Sequence, residues 1–386
     1  ADRRPDGGRG EVNRIQMNEP KYPPLSARTA QQFPKDFVWG VATSSFQIEG
    51  GAIEDGKGPS IWDEFCRIPG AIADASDGDI ACDHYHRWAS DLDIIADLGV
   101  GAYRFSVSWP RVRPSGAGAW NSRGLDFYER IVDGLLVRGV KPYLTLNHWD
   151  LPAALQARGG WGSRETVHRF VEYACQVGQR LGDRVATIST HNEPWVIATL
   201  GHEAGVFAPG LKSRALATQV SHHLLLSHGL ALQALRAQGC GSRLGIVLNL
   251  SPMHPVTDSA EDLAKTRLED GKVVRWYMDP IFKGRYPQDM LEHLGADAPR
   301  VEAGDMQHIA TPMDFLGINY DTRGMIRAYF RALGFVVRHA ATTCGMAIVI
   351  LIPVGVLMRT GPANPGTRSA AGTRPPTWAG KSIPKA

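Results

Sequence analysis

The run ISTHNEPW, residues 188–195, is an apolar stretch that ends in a carboxamide and a carboxylate, Asn192 and Glu193. A carboxylic acid in this position can act as a general acid that gives its proton to a departing oxygen, while the adjacent amide holds a substrate hydroxyl. When the substrate is a glycoside, such an acid works with a second carboxylate across the bond that breaks. Such a site requires a structural element that presents Glu193 and a second carboxylate that faces it.

Short apolar runs alternate with amphipathic helical patterns between residues 33 and 320. The pattern predicts strands at 37–47, 102–109, 141–149, 185–193, 243–252 and 313–320, with helices at 84–98, 124–138, 163–181, 214–238 and 259–277. Near-continuous apolar strands that alternate with helices indicate a parallel sheet covered on both faces. We therefore predict an α/β fold, a (β/α)8 TIM barrel that is incomplete, with about six βα units.

Polar side chains stand at the carboxyl ends of the predicted strands, where a closed barrel would bring them to one mouth. They are Gln47, His148, Asn192, Glu193, Asn249 and Asn319. Strand ends meet loops, and loops are polar, which accounts for one or two such residues. Six amides, imidazoles and acids fit that explanation less well and favour an active site at the barrel mouth.

Seven motifs occur in order along the chain: FPKDFVWGVATSSFQIEG, DHYHRWASDLDIIADLG, YRFSVSWPRV, LNHWDLPAAL, THNEPW, GVFAPG and FLGINY. Together they resemble family 1 glycoside hydrolases, the β-glucosidase and β-galactosidase group, over about residues 33–320. The resemblance implies hydrolysis of terminal β-D-glycosides by a retaining mechanism, with a small glycoside or oligosaccharide as partner and no metal or organic cofactor.

The resemblance also implies roles for individual residues. Glu193 matches the general acid/base, and Arg104 matches the arginine beside the nucleophile. Asn249 and Tyr320 are predicted to support the site. The positions that match sugar-binding residues are Gln47, His148, Trp149, Asn192 and Asn319.

The second carboxylate is missing from the sequence. In the family it is a glutamate of a TENG-like motif on the seventh strand, and no such motif is present here. Residues 322–386 contain nine Lys and Arg but no Asp or Glu, so this segment cannot supply a carboxylate nucleophile. We interpret residues 1–32 as a disordered leader, 33–321 as a truncated glycosidase-like barrel, and 322–386 as an unrelated basic tail from a shifted reading frame or an aberrant junction.

Three functions stay open at this point. The first is a retaining β-glycosidase in which Glu193 is kept and the nucleophile is lost. The second is a non-catalytic sugar-binding or interaction protein on the incomplete barrel. The third uses Asp321 in place of the nucleophile, with a wider carboxyl separation and inversion through water. Six βα units cannot close an eight-stranded barrel, so the first and sixth strands should keep unpaired edges that promote self-association.

Composition argues against other classes of protein. The nine cations of 322–386 belong to 42 Lys and Arg in all, which leaves 33 basic against 39 acidic residues in 1–321 and makes a nucleic-acid surface there unexpected. Five cysteines without CxxC spacing indicate reduced thiols and a cytoplasmic protein. The apolar run 347–358 is shorter than the ~20 residues of a membrane-spanning helix. His222, His223 and His228 lack metal-site spacing and are predicted to be packing or surface residues.

Overall fold

The computed structural model of the protein describes residues 33–320 and 323–328. Its strands are β1 (Gly40–Ala42), β2 (Ala102–Ser106), β3 (Lys141–Asn147), β4 (Thr187–Asn192), β5 (Arg243–Asn249), β6 (Met253–Pro255), β7 (Phe315–Asn319) and β8 (Gly324–Ile326). Six of these form one parallel sheet in the order β1-β2-β3-β4-β5-β7, and β6 and β8 form a separate two-stranded sheet.

The α-helices lie at Ser45–Ile48, Ile61–Phe65, His84–Asp97, Trp109–Val112, Ser122–Val137, Ala153–Gln156, Arg164–Leu181, Arg214–Ala237, Ala260–Asp270, Trp276–Lys283, Gln288–Leu294 and Asp305–Ile309. Val196–Glu203 and Gly271–Arg275 are π-helical, and Gly160–Gly162 and Gly295–Asp297 are 3₁₀ turns. Serine side chains begin several helices, as at Ile61–Phe65, where Ser60 and Asp63 cap each other's backbone N–H groups.

The order of the six-stranded sheet confirms the predicted α/β fold. Each of these six strands neighbours the next of the six along the chain, with helices between them, as in a (β/α)8 barrel of which the described residues form six strands. Among the described residues, β1 and β7 pair with one neighbour each, as expected for the first and sixth strands.

The largest core lies between β2, β3 and β4 and their helices. Trp109 stacks on Tyr173 with ring centroids 4.9 Å apart, and Phe127 and Phe170 are fully buried beside them. A second cluster, which includes Trp276, packs against β5 and the helices that follow it. Aromatic side chains of this size supply a large share of the buried apolar area, so they hold β2–β4 in place.

The chain divides into two compact units, and the six-stranded sheet belongs to the larger one, which includes residues up to His254 and Thr266–Met325. In the smaller unit, the Asp262 carboxylate accepts hydrogen bonds from the Thr257 hydroxyl at 2.7 Å and from the Ala328 N–H at 2.6 Å. Within the described part of the chain, no helix is long and apolar enough to cross a membrane. The predicted leader 1–32 and the apolar run 347–358 lie outside the described residues.

Candidate active site

Glu193 follows directly after β4, whose six residues are all buried. Its N–H donates to the Val247 carbonyl at 2.8 Å, and its φ of 50° lies in the left-handed region. A residue other than glycine costs about 1–3 kcal/mol in such a conformation, and strain of this kind concentrates at functional sites. The strand register shifts between Ser189 and Asn192, so the chain leaves the sheet just where the carboxylate is presented.

Three strands hold the polar atoms around Glu193. Asn192 is buried, and its side-chain oxygen accepts from Arg104 Nη2 of β2 at 2.7 Å and from Asn319 Nδ2 of β7 at 3.1 Å. The same Asn319 amide donates to Glu193 Oε1. Arg104, Asn192, Glu193 and Asn319 therefore come together, although Arg104 precedes Asn192 by 88 positions and Asn319 follows Asn192 by 127.

Arg104 is fixed from a second direction, because its Nε donates to the Thr145 hydroxyl of β3 at 2.8 Å. Burial lowers the pKa of Arg104 to about 10, and the negative charge of Glu193 opposes that shift. The guanidinium therefore stays charged at neutral pH and faces the carboxylate as a cation. Thr145 was missed in the sequence, since a threonine inside a strand carries no motif of its own.

His148 and Trp149 follow β3 at the same end of the sheet. Trp149 has a φ of 82°, and its indole N–H donates to the Asn192 carbonyl at 2.9 Å. His148 Nδ1 is buried and finds no hydrogen-bond partner among the described residues. Burial, together with the charge of Arg104, lowers the pKa of His148 to about 3, so its imidazole is neutral and can both donate to and accept from a ligand hydroxyl.

Gln47 corrects one detail of the sequence prediction. The strand predicted at 37–47 ends at Ala42, and Gln47 lies exposed on the short helix Ser45–Ile48, where Ser44 Oγ donates to its side-chain oxygen at 2.6 Å. The physical reason is that the Ser45 N–H donates to the Ser106 hydroxyl at 2.7 Å instead of continuing the ladder. Gln47 thus lies on this short helix rather than at a strand end.

The two supporting residues differ in their surroundings. Asn249 ends β5 in register with Asn319 of β7 and is half-buried. Tyr320 follows β7 and is 60% exposed. Asn249 therefore lies within the group of strand ends, and Tyr320 lies at its outer margin. Asp321, the alternative nucleophile, lies outside the described residues.

Asp150 is a buried carboxyl beneath the site that we did not single out from the sequence, although it directly follows His148 and Trp149 in the LNHWDLPAAL motif. It is 2% exposed, and Ser45 Oγ donates to its Oδ2 at 2.9 Å. Burial raises the pKa of Asp150 to about 7. The Ser45–Asp150 hydrogen bond links the turn that carries Gln47 to the one that carries His148.

The histidines of the helix Arg214–Ala237 are buried packing residues, in agreement with the prediction. His222 bridges the Tyr286 hydroxyl at 3.0 Å and Asp305 at 2.9 Å, and His228 Nδ1 lies 2.8 Å from the Thr190 hydroxyl. His223 Nδ1 pairs with the Trp161 carbonyl at 2.8 Å. These contacts tie the helix to β4 and to its neighbouring helices.

Comparison with known proteins gives the family. The model of glycosyl hydrolase family 1 matches residues 29–339. This chain belongs to glycosyl hydrolase family 1.

Two similar proteins carry the name β-glucosidase. β-Glucosidase A of Acetivibrio thermocellus is 48% identical over 290 residues, which cover 74% of this chain and 64% of that protein. A β-glucosidase of an Agrobacterium species is 48% identical over 293 residues, covering 76% of this chain and 64% of the relative. The chain thus spans just under two thirds of the length of these relatives.

Solved family 1 structures share the fold. The virulence factor SghA in complex with its substrate analog salicin superimposes with a TM-score of 0.75 at 46% identity, covering 76% of this chain and 65% of that one. The β-glucosidase from Thermotoga maritima in complex with glucoimidazole has a TM-score of 0.73 at 44% identity, covering 75% of this chain and 66% of the other. Both neighbours have a small molecule bound, salicin in the first and glucoimidazole in the second.

Proposed function

We propose that Glu193 is the general acid/base of a β-glucosidase site of the retaining type, and that this chain binds β-D-glycosides without hydrolysing them at an appreciable rate. The observation that supports the proposal best is the hydrogen-bonded placement of Glu193 beside Asn192, Asn319 and Arg104. An acid held in this way can protonate a glycosidic oxygen while the Asn192 amide contacts a neighbouring sugar hydroxyl, an interaction that strengthens in the transition state.

The remaining residues form one wall of a sugar site in this proposal. The neutral His148 ring offers a buried, unpaired Nδ1 among the described contacts, and a sugar hydroxyl would satisfy it. Trp149 supplies an aromatic face beside His148 and Phe207, with ring centroids 5.0 and 5.9 Å away. Gln47 and Asn319 add amide groups, and Asn249 and Tyr320 support the strand ends.

Hydrolysis with retention needs a second carboxylate ~5–5.5 Å from the first, which attacks the anomeric carbon and forms a covalent intermediate. Residues 322–386 contain no Asp or Glu to play that part. We therefore expect the first half-reaction to stall before a glycosyl–enzyme bond forms. Replacement of the nucleophile by Asp321, with inversion of configuration, is the catalytic alternative, and the stereochemistry of the product tests it.

The decisive experiment compares hydrolysis of an aryl β-D-glucoside by the chain, by Glu193→Gln, and by Glu64→Gln as an exposed control. We expect no turnover in any of the three without an added nucleophile. With azide, we expect α-glucosyl azide: the anomeric C–O bond breaks as the C–N bond forms on the opposite face, and Glu193 protonates the departing oxygen. The azide product should persist in Glu64→Gln and be lost in Glu193→Gln.

Turnover without azide that depends on Glu193 would overturn the part of the proposal that concerns the nucleophile. The second candidate function is sugar binding at a site where Glu193 transfers no proton even when azide is added. The segment 322–386, which contains no Asp or Glu, favours it. Gluconolactone binding that survives in Glu193→Gln, with no azide product from the unchanged chain, would support it. The division at residues 321 and 322 stays a proposal. Resequencing the source DNA and finding a downstream frame that encodes a TENG-like motif would support a shifted frame.

A further inference from the structure

A cavity lies beside the segment that follows Glu193. Its volume is about 420 Å³, within the ~300–1,000 Å³ of ordinary ligand pockets. It opens between the π-helical segment Val196–Glu203 and the start of the helix Arg214–Ala237 on one side, and Gly271–Arg275 on the other. Its large apolar lining residues include Trp195, Trp276, Tyr277, Met290 and Leu294.

Both π-helical segments of the described chain face this cavity. Ala198, Thr199 and Glu203 line it from the first segment, and Lys272 and Val273 line it from the second. A π-helix is rare and is less favourable than an α-helix, and it occurs frequently at functional sites. Packing alone does not explain two π-helical segments beside one cavity, because α-helices in the same places would bury the same apolar residues.

The aromatic lining is held rigidly. The Trp276 indole N–H donates to Ser221 Oγ at 2.8 Å, and its ring stacks on Tyr286 with centroids 4.3 Å apart and planes at 28°. Gly271 lies so close to Met290 that a β-carbon there would meet the sulfur at 2.3 Å. The wall is therefore preformed, and a ligand that enters would not have to order these side chains.

Charges around the cavity are nearly balanced. Lys272 pairs with Glu269 at 3.1 Å, and Arg214 with Asp297 at 2.6 Å. Glu203 is exposed at the rim, and its charge acts on the buried Tyr277 hydroxyl, whose pKa is raised mainly by burial. The paired cations and carboxylates disfavour a strongly charged ligand, whereas Glu203 and Tyr277 offer hydrogen bonds to hydroxyl groups.

We propose that this cavity binds a neutral saccharide of one or two pyranose rings, at a site separate from Glu193. The C–H face of a pyranose ring would lie on the Trp195 and Trp276 side of the cavity, and its hydroxyls would donate to Glu203. Trp195 is two residues from Glu193, so a bound saccharide would contact the segment that carries the acid. The site does not require Glu193 to be catalytic.

The test uses the full chain labelled with 5-fluorotryptophan, titrated with methyl β-D-glucoside and with cellobiose. The ¹⁹F signals of Trp195 and Trp276 report on the cavity, that of Trp149 reports on the Glu193 site, and single Trp→Phe variants assign them. Thr199→Trp fills the cavity from its half-buried wall. Glu203→Gln is a milder, exposed variant that keeps the shape of the side chain.

We expect the Trp195 and Trp276 signals to shift on titration, and Thr199→Trp to abolish that shift while leaving the shift of Trp149 unchanged. Glu203→Gln should weaken binding in the cavity by about tenfold, the loss expected for one hydrogen bond to a charged group. Shifts confined to Trp149, or cavity binding that neither variant weakens, would overturn the proposal. Loss of binding at Trp149 alone would count against the proposed function and leave the cavity site standing.

Discussion

Strands β4 and β7 both end in an asparagine that contacts the site, but their surroundings differ. All six residues of β4 are buried, and it pairs with β3 and β5. β7 is only half-buried, with Ile318 55% exposed, and it pairs with β5 alone among the described residues. Glu193 thus follows the fully buried strand β4 and accepts a hydrogen bond from Asn319 of the half-buried strand β7.

This difference matters because local opening follows local burial. Elements with few buried apolar contacts open at a free energy well below that of global unfolding. β4 is anchored by His191, which stacks on Phe170 at 4.5 Å and lies 2.8 Å from the Ser227 hydroxyl. The Asn319 contact to Glu193 should therefore be lost first, while Asn192 and Arg104 stay in place.

The largest expected effect tests the packed side. Phe170→Ala should lower the free energy of unfolding by about 3–5 kcal/mol, because it empties a fully buried site. Phe315→Ala makes the same change on half-buried β7 and should cost less than about 2 kcal/mol. Denaturant unfolding of both variants measures the difference. Equal losses would mean that β7 is as well packed as the core in which Phe170 contacts His191 of β4.

Asp150 adds a pH dependence to the packed side. Its pKa is raised from 3.8 to about 7, so the folded protein keeps a proton that the unfolded chain has lost. This contribution to stability is present below about pH 4 and is lost as the pH rises to about 7, on the order of 4 kcal/mol in all. Relative to the unchanged chain, Asp150→Asn should therefore gain stability as the pH rises from 4 to 7.

Denaturant unfolding at several pH values measures this difference. Comparing the variant with the unchanged chain at each pH cancels the titration of other buried groups, among them His148, whose depressed pKa of about 3 works in the opposite direction. A difference that does not change with pH would show that Asp150 titrates normally in the folded protein.

The sequence predicted the strands of the sheet and the long helix better than it predicted local departures from regular helix geometry. The six strands and their parallel order followed from apolar runs, and the predicted helix 214–238 matches Arg214–Ala237. The helix predicted at 259–277 instead contains the π-helical segment Gly271–Arg275. The sequence did not predict this segment, because the apolar pattern of an α-helix does not reveal a turn that holds one extra residue.

The candidate site divides in the same way. Motifs pointed to Glu193, Asn192 and Asn319, and the structure brings them together. Contacts between side chains of different strands could not be predicted, as for Arg104 with Thr145 or Asp150 with Ser45. Those contacts depend on the register between strands and on the depth at which each polar group is buried. The spacing of residues along the chain determines neither.

A third prediction compares the two donors to Asn192. Arg104→Met removes a charged donor from the packed side and should cost about 2 kcal/mol of unfolding free energy. Asn319→Ala removes a neutral donor from the thinly covered side and should cost about 1 kcal/mol. Because the Arg104 guanidinium and the Asn319 amide donate to the same oxygen, the double variant should deviate from additivity by about 0.5 kcal/mol or more. Strict additivity would mean that the two donors act independently.

The smallest effect on stability concerns the edge of β7 that pairs with no further strand among the described residues, through which we propose that the chain self-associates. Unpaired strand edges recruit other strands, and a lysine on such an edge opposes this. Ile318→Lys should change the free energy of unfolding by no more than about 0.5 kcal/mol, since the side chain is 55% exposed, yet it should reduce concentration-dependent association in sedimentation velocity.

Ile53→Lys is the matched control, because Ile53 is 87% exposed in a loop outside the sheet and gains the same charge. If both variants reduce association equally, general charge repulsion would be responsible rather than the edge. If only Ile318→Lys reduces association, the low burial of β7 has two consequences: the Asn319 contact is weakly held, and other copies of the chain can associate at this strand. Association that neither variant changes would place the contact surface elsewhere.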